Sequence, residues 1–406
     1  MVKDNLVGLA FTFHMKILIA TDCNRYNLGG VTASIFALCT GLRRCGHEVK
    51  TLSLSNCNRS FQDGDDYYIR SFPALFYQDL RISFAMKDPY INELAKWEPD
   101  VIHLQSEGSA ERMAIKIKKR CGSPMVMTCH TDYAYFVFGR FRSFPPVKTF
   151  MSFSGKRIFR HAELVTVPSE KATGFPMLST TYDRLSVVPN GIVLDRFNRQ
   201  LLKPEAAELR KSLGISSGTV VLTVISRLSK EKNIQEIITY LPGLLKSGTD
   251  VKLLIVGDGP DRKHLEKLTE QLGLDDMVIF TGRISSDEVG RYFAATDIYV
   301  SASQFEVHSI SYLEALANGL PMLCHADESL TGVLEHGVNG LIYNSREEFT
   351  DYAIMMITDT GLRKKMGQAS SERSLDFSCE HIAGLMTDIY GKAIQRNEKN
   401  KADNIR

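Results

Sequence analysis

Two glutamates eight positions apart are the residues of this chain best placed to do chemistry. Glu306 lies in a polar stretch, and Glu314 follows in a helical pattern that ends near Gly319. On a helix this spacing gives about 12 Å of rise and about 80° of rotation, so the carboxylates cannot meet as an acid/base pair. They can hold opposite ends of one elongated ligand, with backbone N–H groups of the helix start between them for an anion. A nucleotide-sugar fits this layout, and two solvated glutamates fit the stretch alone equally well.

Two cations follow an apolar, β-branched run at 220–225 that is typical of a buried strand. Arg227 and Lys232 come directly after it, in the order Ser-Arg-Leu-Ser-Lys-Glu-Lys-Asn. A guanidinium offers a planar fork and an ammonium a compact point charge, and together they suit a diphosphate. A solvated basic loop is the alternative, and the order of residues after the strand disfavours it.

A histidine and two glycine pairs stand at other strand ends. Gly29 and Gly30 open a helical pattern, where adjacent glycines can form an anion-binding nest for a donor phosphate or admit an acceptor. Gly257 and Gly259 follow a second apolar run and permit close backbone approach, although a plain tight turn needs no ligand. His130 ends a further strand and is expected to point into a cleft, with a hydrogen-bonded structural histidine as the alternative.

Residues 133–161 alternate aromatic and cationic side chains. Aromatic bodies and long cations suit the anionic face of a lipid bilayer. The alternative is a helix whose phenylalanines face its own core and whose cations are merely solvated. Pro145-Pro146 interrupts the pattern, which counts against that alternative. The residues concerned are Phe136, Phe138, Phe141, Phe144, Phe150, Phe153, Phe159, Arg140, Arg142, Lys148, Lys156, Arg157 and Arg160.

Length and composition indicate a globular protein of two domains. The chain has 406 residues, 24% of them charged, and a net charge of +2 that argues neither for nor against nucleic acid. No apolar run approaches the length that spans a membrane. The eight cysteines form no CxxC pair, which favours free thiols in a reducing cytosol, and no pattern of ligands predicts a structural metal. The folded part is expected to begin at Met15, with 1–14 an extension.

Short apolar runs alternate with helical patterns along the whole chain. This alternation predicts an α/β protein with two doubly wound, Rossmann-like domains of parallel strands, at 15–195 and 196–376, and a last helix at 377–397. The boundary between the two domains is expected near 190–205, with Lys203-Pro204-Glu205 ahead of the next helix. The polar end after Asn397 is expected to be frayed. Strands are predicted at 16–21, 47–54, 100–105, 125–130, 164–169, 185–189, 219–226, 251–256, 277–281, 297–302, 320–325 and 340–343.

Taken together, these motifs resemble the retaining glycosyltransferases of family 4, which have the GT-B fold. The resemblance covers Met15 to about Asn397. It is carried by Gly29-Gly30, His130, Val188-Pro189-Asn190-Gly191-Ile192, Ser226-Arg227 with Lys232-Asn233, Gly257-Asp258-Gly259-Pro260, and the Glu306/Glu314 pair.

The resemblance implies a role for each motif residue. Arg227 and Lys232 would bind the donor diphosphate, and Glu314 the ribose hydroxyls. Glu306 and His130 would hold the transferred sugar, so that His130, Glu306, Arg227 and Lys232 form the catalytic set. Retention without a protein nucleophile implies front-face transfer, in which the leaving phosphate helps deprotonate the acceptor and no tightly bound metal or other cofactor is needed. The further donor contacts implied are Gly30, Gly257, Arg283, Ile284, His308, Ser309 and Ile310.

One departure from the family pattern lies between the two glutamates. Family members usually carry glycine at the position of Ser309 and often phenylalanine before it, where this chain has His308. Ser309 would crowd the sugar or bond one of its hydroxyls, which bears on donor-sugar identity more than on activity. The final helix of this fold crosses back to brace the first domain.

Within the family the chain is similar to diacylglycerol glycosyltransferases. That resemblance implies a UDP-sugar donor, glucose first and galactose second, a diacylglycerol-type lipid acceptor, and a peripheral enzyme on the inner, cytoplasmic face of the cell membrane that binds no nucleic acid. The implied acceptor contacts are Gly29, Gly30, Glu107, Asp132 and Tyr133. The implied contacts with an anionic membrane are Arg140, Arg142, Lys148, Lys156 and Arg157.

Three alternatives remain at this point. A soluble family member would act on a sugar or small-molecule acceptor and need no lipid. A catalytically silent nucleotide-sugar-binding protein would have lost activity through the Ser309 departure, against which the intact Arg227, Lys232, Glu306 and Glu314 argue. A GT-B relative that is not a transferase, such as a sugar-nucleotide epimerase, is the third.

Overall fold

The first half of the chain forms a mostly parallel sheet. The computed structural model describes residues 14–25, 29–74, 77–132 and 144–403. Among these, eight strands pair in the order β10-β9-β8-β7-β1-β2-β4-β3, with only β3 and β4 antiparallel, and β5 and β6 form a separate hairpin. The strands are β1 Lys16–Ala20, β2 Glu48–Leu54, β3 Phe61–Asp63, β4 Asp66–Ile69, β5 Phe72–Ala74, β6 Tyr77–Ile82, β7 Val101–Leu104, β8 Met125–Thr128, β9 Leu164–Val167 and β10 Leu185–Val187.

The second half forms a fully parallel sheet. In the described part of this half, six strands pair in the order β13-β12-β11-β14-β15-β16. They are β11 Val220–Ile225, β12 Val251–Val256, β13 Val278–Gly282, β14 Ile298–Ser301, β15 Met322–His325 and β16 Gly340–Tyr343. In both sheets the strand order reverses once, between β1 and β7 and between β11 and β14, and the carboxyl ends at such reversals are where ligands bind in doubly wound folds.

Helices cover both faces of both sheets, so the strands are buried on both sides. They are α1 Gly30–Arg44, α2 Pro89–Lys96, α3 Ser109–Cys121, α4 Pro145–Phe159, α5 Glu170–Thr173, α6 Arg199–Ser212, α7 Ile234–Tyr240, α8 Arg262–Gln271, α9 Val289–Ala294, α10 Ile310–Ala317, α11 Arg346–Thr358, α12 Thr360–Ser374 and α13 Cys379–Asp403. Each sheet has an apolar cluster on either face. The predicted α/β class with two doubly wound sheets is confirmed.

The final helix crosses back to the first half, as expected for the GT-B fold. Apolar residues of α13, among them Ile382 and Met386, join the buried cluster formed by β1 and α1. A side chain on Gly41 would meet the Cys379 carbonyl, so glycine lets α1 approach the start of α13 closely. The two crossing segments are also bonded to each other: Ile192 donates to Phe377 O at 2.8 Å, and Cys379 donates to Ile192 O at 2.9 Å.

Two local expectations are wrong. Pro204 lies inside α6 rather than ahead of it, because the Asn198 side chain caps the helix by accepting from Gln200 N and Leu201 N. The Pro145-Pro146 pair stands at the start of α4, where a missing N–H costs nothing. The chain after Asn397 is helical to Asp403, and the Asn397 side chain donates to Gly122 O at 3.0 Å.

Candidate active site

The structure brings Lys232 and Glu306 together at the reversal of the second sheet. Lys232 follows β11 and Glu306 follows β14, the strand beside it. The Lys232 ammonium donates to Glu306 Oε1 at 2.5 Å, and the two side chains are 22% and 13% exposed. An ammonium has three N–H donors, so Lys232 can hold Glu306 and phosphate oxygens at the same time. The pair therefore fixes the carboxylate of Glu306 beside a cation suited to a diphosphate.

Glu314 lies in the second turn of α10 and is half-buried. Burial raises the pKa of its carboxyl to about 8, with Arg196 acting in the opposite direction. A carboxyl with that pKa is largely protonated at neutral pH, so it can donate one hydrogen bond and accept others. This is an environment in which hydroxyl groups can be bound from both sides.

The loop between the two glutamates is tied down on both sides. Ser309 Oγ lies 3.0 Å from Ser311 Oγ, which accepts from the Tyr299 hydroxyl at 2.9 Å. The Asn190 side chain donates to His308 O at 3.0 Å and accepts from Ser34 Oγ of α1 at 2.7 Å. Sequence reasoning gave Asn190 no role beyond its motif, although the Pro-Asn-Gly run had marked the position.

His308 itself is mostly buried. Its ring packs against Phe377, with 5.7 Å between ring centroids, and burial lowers the pKa of the imidazole to about 4. Ile310, the first residue of α10, faces the first half: a side chain added at Gly30 would lie 3.6 Å from Ile310 Cγ1. The glycine loop and the glutamate loop, both predicted to contact the donor, thus lie against each other.

His130 is held within the first half by a buried amide. Its Nε2 lies 2.6 Å from Gln105 Oε1, and burial lowers the pKa of the imidazole to about 4, so the ring is neutral at pH 7. Gln105 follows β7, a strand of the reversal in the first sheet, and His130 follows β8, the strand beside it. The predicted histidine is therefore at a ligand-binding edge, and Gln105 is a partner that sequence reasoning left without a role.

Arg227 is exposed in the loop after β11. The glycines of the next loop support this one: a side chain on Gly257 would meet Ser226 O, and one on Gly259 would meet Leu228 O. The close approach that these glycines permit is thus to the loop of Arg227. Arg283 is exposed and Ile284 is half-buried directly after β13.

The acceptor contacts expected from sequence are only partly described. Asp132 lies two residues beyond His130, and Gly29 is exposed before α1, whereas Tyr133, Arg140 and Arg142 lie outside the described residues. Glu107 lies near the buried Cys129 thiol, and together with desolvation, the larger cause, its charge raises the pKa of that thiol. Asp22 anchors the start of α3, since its carboxylate accepts from Ala110 N at 2.9 Å.

Helix α4 has one inner and one outer face. Met151, Gly155 and Phe159, four residues apart, are buried. Phe144, Phe150 and Phe153 are 59%, 58% and 71% exposed, and Lys148, Lys156 and Arg157 are exposed as well. Only Phe159 of these phenylalanines packs in the core, so the helix presents apolar rings and cations together.

Contacts between the two halves surround the glutamate loop. Ser169 Oγ donates to Val307 O at 2.6 Å, and the Lys171 ammonium lies 2.7 Å from the Asp327 carboxylate. Lys171 also donates to Gln304 O at 3.3 Å. Within the described residues there is no group of three or more possible metal-ligating side chains, and no helix there is long and apolar enough to cross a membrane.

The fold is that of known GT-B glycosyltransferases. HepE of Anabaena in complex with UDP and glucose superposes with a TM-score of 0.71 at 20% identity, covering 93% of this chain and all of that one. Sucrose-phosphate synthase from Thermosynechococcus elongatus superposes with a TM-score of 0.73 at 19% identity, covering 93% and 98%. Two parallel sheets and a C-terminal helix that returns to the first of them give this chain the GT-B fold.

Sequence comparison gives the family. The model described as Glycosyltransferase Family 4 matches residues 28–196, and the model described as Glycosyl transferases group 1 matches 205–373. The alpha-monoglucosyldiacylglycerol synthase of Streptococcus pneumoniae is 29% identical over 390 residues, 95% of this chain and 88% of that protein. The enzyme of the same name from Acholeplasma laidlawii is 26% identical over 396 residues, 95% and 99%. The chain belongs to glycosyltransferase family 4.

Proposed function

We propose that this protein transfers a hexose, with retained configuration, from a UDP-sugar to a diacylglycerol-type lipid and so forms an alpha-glycolipid. The first candidate for the donor is UDP-glucose, and the second candidate is UDP-galactose. The observation that carries the proposal is the Lys232–Glu306 pair at the strand reversal, where a cation suited to phosphate and a carboxylate suited to sugar hydroxyls lie 2.5 Å apart. The names of the two relatives matched over 95% of this chain support the lipid acceptor.

The donor would lie along the second half of the chain. Arg227 and Lys232 bind the diphosphate, Glu314 the ribose hydroxyls and Glu306 the hexose, with the base near Arg283 and Ile284. The half-buried, largely protonated carboxyl of Glu314 suits neutral hydroxyls better than a cation. HepE has also been crystallised with UDP-glucose, which supports a UDP-sugar as the class of donor for this fold.

The transfer breaks the bond between the anomeric carbon and the UDP oxygen and forms a bond from that carbon to the acceptor oxygen on the same face. The acceptor proton passes to the departing phosphate. Lys232 and Arg227 stabilise the negative charge that grows on that phosphate, which is electrostatic catalysis by preorganised donors. His130, neutral at pH 7, contacts the transferred sugar rather than acting as a cation.

Helix α4 would hold the protein on the membrane surface, where the lipid acceptor is found. Its outward-facing phenylalanines and cations combine the two features of a peripheral helix, apolar rings for the interface and positive charge for anionic headgroups. The acceptor hydroxyl would then enter beside Gly29, Gly30, Glu107 and Asp132, with Tyr133 beyond the described residues.

The test uses the purified full chain with UDP-glucose or UDP-galactose and vesicles of diacylglycerol and phosphatidylglycerol. Released UDP and lipid product are measured, the product mass identifies the acceptor, and proton NMR of the anomeric centre gives its configuration. An alpha-hexosyl lipid from one donor supports the proposal. Glycosylation of soluble sugars alone, without binding to vesicles, would show a soluble family member, and binding of UDP-glucose without any product would show a silent binding protein.

A further inference from the structure

A line of buried polar side chains runs from the final helix to His130. The Tyr390 hydroxyl of α13 lies 2.7 Å from His103 Nδ1 on β7, and the two rings make an edge contact. The Gln105 amide nitrogen lies 3.1 and 3.3 Å from the two ring nitrogens of His103. The Gln105 amide oxygen lies 2.6 Å from His130 Nε2. His103 and Tyr390 are fully buried, and Gln105 is 4% exposed.

The contact between Gln105 and His130 selects one tautomer of His130. An amide oxygen only accepts hydrogen bonds, so His130 Nε2 must carry the ring proton. Because burial lowers the pKa of the imidazole to about 4, the ring has one proton at neutral pH, and Nδ1 is left as an acceptor. A hydrogen-bond donor such as a hydroxyl is what this nitrogen can bind.

His103 extends the same arrangement to the C-terminal helix. Burial, and to a lesser degree His130, lower the pKa of His103 to about 3, so this ring is also neutral. Its two nitrogens are engaged by the Tyr390 hydroxyl and by Thr128 Oγ1 at 2.7 Å each. A ring held at both nitrogens is a fixed surface for the Gln105 amide. Tyr390 is supplied by α13, the helix that returns from the second half and packs on the first.

We propose that Gln105 and Tyr390 are positioning residues that fix the tautomer and orientation of His130, so that His130 Nδ1 accepts a hydrogen bond from a hydroxyl of the transferred sugar. This inference rests on the proposed function, because it assumes that His130 contacts the donor sugar. It assigns α13 a role in the active site of the opposite half, in addition to packing.

The titratable groups along this line lie on several described elements. They are His103 on β7 and Tyr390 on α13, with Cys39 of α1 beside Tyr390, and Cys129 in the loop of His130, with Glu107 and Asp132 beside that thiol. Burial raises the pKa of the Cys129 thiol well above its ordinary value, so it stays neutral through the range of the test.

Gln105→Glu is the most informative variant because it keeps an oxygen in place and adds a titratable group. A carboxylate beside Nε2 raises the pKa of the ring and favours the imidazolium, and a protonated carboxyl can donate to Nε2. Both of these acidic states place a proton on Nδ1, whereas above the raised pKa the neutral ring keeps its proton on Nε2. The acid limb of kcat/KM should therefore move up by at least about one pH unit, with activity recovered on the alkaline side. Gln105→Leu, which removes the acceptor, should lower kcat about tenfold without a new pH limb.

Tyr390→Phe removes only the hydroxyl and should lower kcat about threefold while the KM for the donor stays unchanged. Tyr67→Phe is the matched control, since Tyr67 is a buried tyrosine of the first half whose hydroxyl donates to Glu93 Oε1 at 2.8 Å. Equal loss of kcat in both variants would show a structural effect and overturn the role of Tyr390.

The tautomer is measured directly by NMR of the protein labelled with ¹⁵N-histidine, with His130 assigned from the spectrum of His130→Asn. At pH 7 we expect a protonated Nε2 and an unprotonated Nδ1 in the unchanged protein, and in a pH titration Nδ1 of Gln105→Glu should gain its proton at a pH at least about one unit higher than in the unchanged protein. A proton on Nδ1 of the unchanged protein at pH 7, or the same midpoint for protonation of Nδ1 in both proteins, would overturn the proposal. This measurement does not depend on enzyme activity. If no combination of donor and acceptor gave a product, the proposed function would be rejected, and the NMR spectrum would still decide the tautomer of His130.

Discussion

The two strand reversals hold their polar residues in opposite ways. At the second, Lys232 and Glu306 form a charged pair that keeps some contact with solvent. At the first, His130 and Gln105 are neutral and linked to other buried neutral groups. A charged site suits phosphate and charge that develops during reaction, whereas a neutral one suits the orientation of hydroxyls. The division therefore parallels the proposed division between activating the leaving group and placing the sugar.

The sharpest way to break this comparison is Lys232→Met, which keeps the length of the side chain and removes its charge. If the second reversal supplies electrostatic catalysis, kcat should fall by about 10² to 10³, the usual effect of losing one preorganised donor. Lys230→Met is the matched control, because Lys230 is an exposed lysine of the same turn. Steady-state kinetics with UDP-glucose measure both. A loss of kcat below tenfold would mean that another residue supplies the catalytic charge. The two reversals would then no longer differ in the size of their effect, because Gln105→Leu is also expected to lower kcat about tenfold.

The first half also carries helix α4, which exposes phenylalanines and cations together. Replacing Lys148, Lys156 and Arg157 by glutamine should weaken binding to phosphatidylglycerol vesicles about a hundredfold, since each cation contributes about 1 kcal/mol near an anionic surface. Binding of UDP, by contrast, should not change. Vesicle co-sedimentation and calorimetry with UDP measure the two effects separately.

The control for that triple variant removes three exposed lysines of the second half, Lys263, Lys267 and Lys364. It lowers the net charge by the same amount. If both variants lose vesicle binding equally, overall charge rather than α4 accounts for the attraction. If neither loses it, the membrane role of this helix is wrong.

Sequence identified the charged site more completely than the neutral one. Arg227, Lys232 and Glu306 each follow an apolar run, so strand periodicity predicts them at one sheet edge, and the helical pattern after Glu306 contains Glu314. The neutral line joins residues 390, 103, 105 and 130, and nothing local in the sequence relates position 390 to the others. Pro204 shows the same limit at short range, because a side-chain cap at Asn198 outweighs the usual reading of a proline.

The smallest expected effect is at Glu314, a carboxyl near the second reversal that is largely uncharged at neutral pH. The pKa of this carboxyl is raised from 4.5 to about 8, so the folded protein keeps a proton that the unfolded chain releases. The stability contributed by that proton is complete below pH 4.5 and is lost as the pH rises to about 8. Glu314→Gln removes this dependence, so its free energy of unfolding should rise relative to the unchanged protein between those limits.

Urea unfolding of the two proteins at several pH values measures the difference, with Glu335→Gln, an exposed glutamate of the same half, as the control. Because an amide can donate and accept as a protonated carboxyl does, the KM for UDP-glucose should change by no more than about threefold. A difference in stability that is constant with pH would mean that Glu314 is ionised in the folded protein. The ribose end of the site would then be charged like the phosphate end, and the neutral placement of hydroxyls would be confined to the first half.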